Sequence, residues 1–69
     1  MRNIENANNL GAAVKYARKK KGMTQTQLSE RLSITTRYLK GIENSGRKPS
    51  YSLLIRILNE LELLPNAIL

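Results

Sequence analysis

Residues 24–43, TQTQLSERLSITTRYLKGIE, decide how this chain folds. Thr24 is placed to accept from the backbone N–H three residues on. Gln27 is placed to reach back to the N–H of Thr24, and this reciprocal pair satisfies two orphan donors at a helix start. Leu28 and Leu32 follow four residues apart, which predicts a helix over 25–32 with one apolar stripe. Met23, just ahead of the cap, can staple onto Leu28. Ser33-Ile34 breaks the pattern, Thr35 is the next cap, and a second short helix runs over 36–43 with Leu39 and Ile42 inward. Thr36, Arg37, Lys40 and Gly41 then share the opposite face. Two short helices joined by a tight turn meet one core and leave the outer face of the second free to project. That face carries two bases and no acid.

The flanks supply the rest of the core. Leu10, Ala13, Val14 and Ala17 form a stripe on a helix over 9–20. Lys19, Lys20 and Lys21 suit the negative end of its dipole, and Gly22 stops it. After the second short helix, residues 44–49 (NSGRKP) form a loop by composition. Ser50 caps a helix over 51–62, with Leu54, Ile57, Leu58 and Leu61 as its buried stripe. Pro65 opens a short fifth helix with Ala67, Ile68 and Leu69. The expected fold is all-α, a compact four- to five-helix bundle. Residues 1–8 are read as a flexible polar lead-in and 9–69 as a single domain.

Composition narrows the function. The chain has 69 residues, which allows one hydrophobic core, and Leu, Ile and Val number 18, which argues against disorder. Cys and His are absent. No disulfide, thiolate nucleophile or imidazole base can form, and the usual zinc ligands are missing. The acids are five glutamates, at 5, 30, 43, 60 and 62. They are too few for a convincing metal or acid–base site, so no enzyme, metal or cofactor is expected. No apolar run approaches the roughly 20 residues of a membrane span, and a cytoplasmic protein is expected. The net charge of +7 is uneven: residues 15–48 carry +8 and residues 51–69 carry −1. A basic middle suits a polyanionic partner. A merely solubilising surface is the plain alternative.

Residues 10–61 resemble the helix-turn-helix domain of the phage repressor and Cro family, the XRE type. The match runs through Gly22-Met23-Thr24-Gln25, Leu28-Ser29-Glu30-Arg31-Leu32, Ile34, Tyr38-Leu39, Ile42-Glu43-Asn44 and Arg47-Lys48-Pro49-Ser50. The resemblance implies a lambda-repressor-like domain that binds a double-stranded DNA operator as a homodimer, with helix 36–43 in the major groove. It assigns Thr36, Arg37 and Gly41 to positions that reach base edges. Gln25, Tyr38, Lys40, Asn44, Arg47 and Lys48 fall at phosphate contacts, Gln25 alternatively bracing a reading side chain. Arg18 and Glu43 match a structural ion pair. Leu63, Leu64, Ile68 and Leu69 are the expected dimer surface; the alternative is that they close the domain's own core.

Three positions depart from the family pattern. Gly41 offers no side chain where a reader is usual. Ser29 stands for alanine, so its hydroxyl needs a backbone acceptor. Ser33 stands for glycine where a positive φ is expected, a strain of about 1–2 kcal/mol. The functional reading is a sequence-specific DNA-binding transcriptional regulator acting as a repressor. The alternative is an antitoxin-type module that binds a partner protein as well as operator DNA. A cationic membrane-surface peptide fits poorly with four capped helices, so no membrane partner is expected.

Overall fold

Hydroxyl caps fix three helix starts in the computed structural model, which describes residues 7–63, with side chains from Leu10 onward. The helices are α1 (Ala7–Lys20), α2 (Gln25–Leu32), α3 (Thr36–Asn44) and α4 (Tyr51–Glu60), and no strand occurs among the described residues. Thr24 Oγ1 accepts from the N–H of Gln27 at 3.0 Å, and Gln27 Oε1 accepts from the N–H of Thr24 at 2.9 Å. Thr35 caps α3 by accepting from Tyr38 N at 3.0 Å, and Ser50 caps α4 by accepting from Leu53 N at 3.2 Å. Each cap satisfies a donor that the first helical turn would otherwise leave open.

The stops of α1, α2 and α4 share one geometry. A left-handed residue lets two successive N–H groups fold back onto the last turn. At α1 this residue is Gly22 (φ 76°), with Gly22 N–H on Lys19 O and Met23 N–H on Arg18 O. At α2 it is Ser33 (φ 59°), with its own N–H on Glu30 O and Ile34 N–H on Ser29 O. At α4 it is Glu62 (φ 57°), with its own N–H on Asn59 O and Leu63 N–H on Leu58 O. Glu62 therefore lies outside α4, which ends at Glu60, two residues earlier than the periodicity predicts. The expected short helix at 65–69 lies outside the described residues.

α1 packs chiefly on α3, while α2 packs on both α3 and α4. The core is Val14, Ala17, Leu28, Leu32, Leu39, Ile42, Leu53, Ile57 and Leu61, with Leu10, Met23, Ile34 and Tyr38 partly buried against it. Each fully buried Leu or Ile contributes about 1.5–3 kcal/mol relative to exposure. The buried stripe of α4 is Leu53 and Ile57, continued by Leu61 at its cap; Leu54 and Leu58 are only half-buried, a shift from the expected stripe. α4 carries apolar residues at 53, 54, 55, 57 and 58, so several stripes are possible and its seat against α2 selects one. Arg56 reinforces that seat by donating to the Leu32 carbonyl at 2.6 Å, which satisfies an orphan acceptor at the end of α2.

Candidate nucleic-acid interface

α3 is divided lengthwise. Leu39, Ile42 and Glu43 are buried, Thr36, Tyr38 and Gly41 are half-buried, and Arg37, Lys40 and Asn44 are exposed. An ion pair sets the roll of the helix. Glu43 Oε2 accepts from Arg18 Nε at 2.8 Å, and Glu43 Oε1 accepts from Arg18 Nη2 at 3.0 Å. Arg18 Nη1 also donates to the Met23 carbonyl at 2.8 Å. The Arg18 and Glu43 side chains are 7% and 0% exposed, so this two-pronged bridge is sealed from water. A fork of this kind matches guanidinium to carboxylate geometry and ties α1 to α3. Turning Glu43 inward turns Arg37 and Lys40 outward.

Gln25, at the start of α2, joins the same cluster. Its Nε2 donates to Glu43 Oε1 at 3.0 Å. The network thus runs from α1 through α3 to the first residue of α2, and it holds the two short helices in register. Ser29 is buried, and its hydroxyl donates to the Gln25 carbonyl at 2.7 Å, the acceptor that a serine at this position requires.

The outward side is electrostatically open. Glu43 is spent on Arg18, Glu60 lies 3.4 Å from Arg31, and Glu62 lies 3.2 Å from Lys21. No ion pair among the described residues involves Arg37, Lys40, Arg47 or Lys48. Arg37, Lys40, Gly41, Asn44, Ser45 and Arg47 line one open groove of about 460 Å³. Lys48 is exposed just beyond it. Arg47 folds back over the helix: its guanidinium carbon stands 4.8 Å from the centre of the Tyr38 ring. The half-burial of Gly41 comes from that same side chain, whose Cδ would lie 3.3 Å from a Cβ placed on the glycine.

A helix-turn-helix family model matches residues 14–65, about three quarters of the chain. The chain belongs to the XRE-type helix-turn-helix family of DNA-binding regulators. No curated protein and no solved structure shows significant similarity to it. In this helix-turn-helix protein the matched segment takes in α2, the Ser33–Thr35 turn, α3 and the basic loop, so the groove lies within the family domain.

Two positioning residues escape the linear pattern. A Cβ on Gly11 would come 2.4 Å from the carbonyl oxygen of Ile42 and 2.7 Å from that of Glu43. α1 therefore crosses α3 in backbone contact, which only glycine permits. Arg56 is the second, through its bond to Leu32 O. Gly11 breaks the apolar stripe of α1 beside Leu10, and that interruption is the one signal that could have marked it. Leu63 is exposed and lines a different groove with Ala13, Tyr16, Ala17 and Leu61. Leu64, Ile68 and Leu69 lie outside the described residues. No helix among the described residues is long and apolar enough to cross a membrane.

Proposed function

We propose that this helix-turn-helix protein is a sequence-specific transcriptional repressor that lays α3 in the major groove of an operator and blocks promoter access. The observation that carries the reading is the outward, acid-free face of α3 and its loop, where Arg37, Lys40, Arg47 and Lys48 stand without ion-pair partners among the described residues. Arg37 is the principal reader, since a guanidinium pairs with O6 and N7 of guanine. Thr36 contacts a thymine methyl or a phosphate. Lys40, Asn44 and Lys48 meet phosphates, which fixes register without carrying sequence information. Gln25, bonded to Glu43, braces the start of α2 against the backbone of the duplex. Tyr38 packs against the helix pair and supports the loop.

Two copies related by a two-fold axis would read half-sites one helical turn apart. The exposed Leu63, which lines one groove with Tyr16, supplies an apolar surface for that pairing. The same surface favours the second reading, an antitoxin-type module that holds a partner protein while bound to operator DNA. Co-purification of a stoichiometric partner selects the second reading, and a lone homodimer selects the first. Either role is cytoplasmic and non-catalytic.

The test is selection of bound duplexes from random DNA at two salt concentrations. With about 6–10 phosphate contacts per dimer, affinity falls roughly 10³–10⁵-fold between about 50 and 200 mM salt. Enrichment of a pseudo-palindrome with that steep dependence supports the reading. A flat salt dependence, or no enriched site, overturns it.

A further inference from the structure

Gly41 and Arg47 solve one problem together. A mid-helix glycine weakens α3 and leaves a gap on its outward face. Arg47 fills that gap: a Cβ on Gly41 would stand 3.3 Å from Arg47 Cδ and 3.5 Å from Arg47 Cβ, so the arginine stem lies on bare helix backbone. The residue is anchored at both ends. Its backbone N–H donates to the Gly41 carbonyl at 3.1 Å, and its guanidinium carbon sits 4.8 Å from the Tyr38 ring centre, about one turn back along α3. The aromatic ring engages the cation while taking none of its N–H donors. No acceptor among the described residues takes them either.

We propose that Arg47 is a base reader, delivered from the loop to the place that Gly41 leaves empty, where it presents its guanidinium beside Arg37 to the edge of a guanine. The inference rests on the reading of α3 as the groove-inserted helix. A phosphate contact needs a charge within reach and little else. Bidentate pairing with guanine O6 and N7 needs a planar fork held in one orientation, which the Tyr38 ring and the Gly41 gap provide. Lys48, the next residue, has neither anchor nor fork and remains a phosphate contact.

The experiment uses the site selected from random duplexes and a panel carrying each single base-pair change. Wild type, Arg47→Ala, Arg47→Lys and Gly41→Gln are compared at two salt concentrations, with thermal melts confirming that each variant is folded. Wild type is expected to discriminate against replacing one G·C pair per half-site by roughly 5- to 150-fold. Arg47→Ala and Arg47→Lys are both expected to bring that ratio close to unity while preferences elsewhere in the site persist. Gly41→Gln, whose side chain crowds the arginine stem, is expected to change the preferred pair at the same position. If Arg47→Ala weakens every duplex alike and Arg47→Lys restores binding, Arg47 is a phosphate contact; the inference fails and DNA binding by α3 stands. If wild type itself shows no preference among duplexes, the reading of α3 fails and takes this inference with it.

Discussion

On one side of α3, Leu39, Ile42 and Glu43 are closed against the rest of the domain; on the other, Arg37, Lys40 and Asn44 stand in solvent. The same nine residues hold one charge that is buried and accepts three hydrogen bonds and two that are exposed and without an ion pair among the described residues. The contrast teaches that the inner face sets the geometry and the outer face uses it. Stability and DNA binding should therefore respond to different substitutions on one short helix.

The largest effect belongs to the inner ion pair. Arg18→Ala leaves the Glu43 carboxylate buried without its guanidinium, at a cost of about 3–5 kcal/mol. That is a large share of the roughly 3–10 kcal/mol total expected for a domain of this length. Denaturant melts should show a much lower midpoint or no cooperative transition, and an unchanged midpoint would contradict a structural role for the bridge. Next comes Gly11→Ala. The added carbon meets two backbone carbonyls that cannot swing away, so α1 must lift from α3 at a cost of about 1–3 kcal/mol. A melt as stable as wild type would show that the crossing has slack.

The outer face gives the opposite signature. Arg37→Ala should leave the melting midpoint within about 0.5 kcal/mol of wild type. Its affinity for the selected duplex should fall by about 1–3 kcal/mol, with relaxed preference at one base pair. Loss of stability without loss of preference would place Arg37 on the wrong side of the comparison. The turn between α2 and α3 supplies the smallest change. Ser33→Gly removes the strain of a non-glycine residue at φ 59° and should stabilise by about 1 kcal/mol, read as a rise of about 4–8 °C in Tm. A lower Tm would argue that the serine contributes something the backbone angle does not reveal.

The local rules were readable in advance. Thr24, Thr35 and Ser50 cap where their spacing places them. These caps depend on neighbours within a few residues, which the linear chain displays. The left-handed Ser33 was implied by the family resemblance, not by its neighbours. Arg18 and Glu43 lie 25 residues apart, and no local rule joins them; family resemblance marked the pair. What stayed hidden is tertiary. Gly11 drew no reading from the sequence, because its purpose is a carbonyl more than thirty residues away. The seat of α4 depended on which of several stripes met α2. The resemblance marked Arg47 only as a loop phosphate contact, since nothing in the sequence says that its stem crosses the bare backbone at Gly41.

The central claim is that the outward side of α3 and its loop meet duplex DNA. Residue-resolved NMR titration of the folded protein with the selected duplex tests it most directly. The account predicts that the largest shifts cluster at Gln25, Thr36, Arg37, Lys40, Gly41, Asn44, Arg47 and Lys48, while Tyr16 and Leu63 move little for direct contact reasons. Shifts concentrated on the α1 groove around Tyr16 and Leu63, with α3 unperturbed, would contradict it.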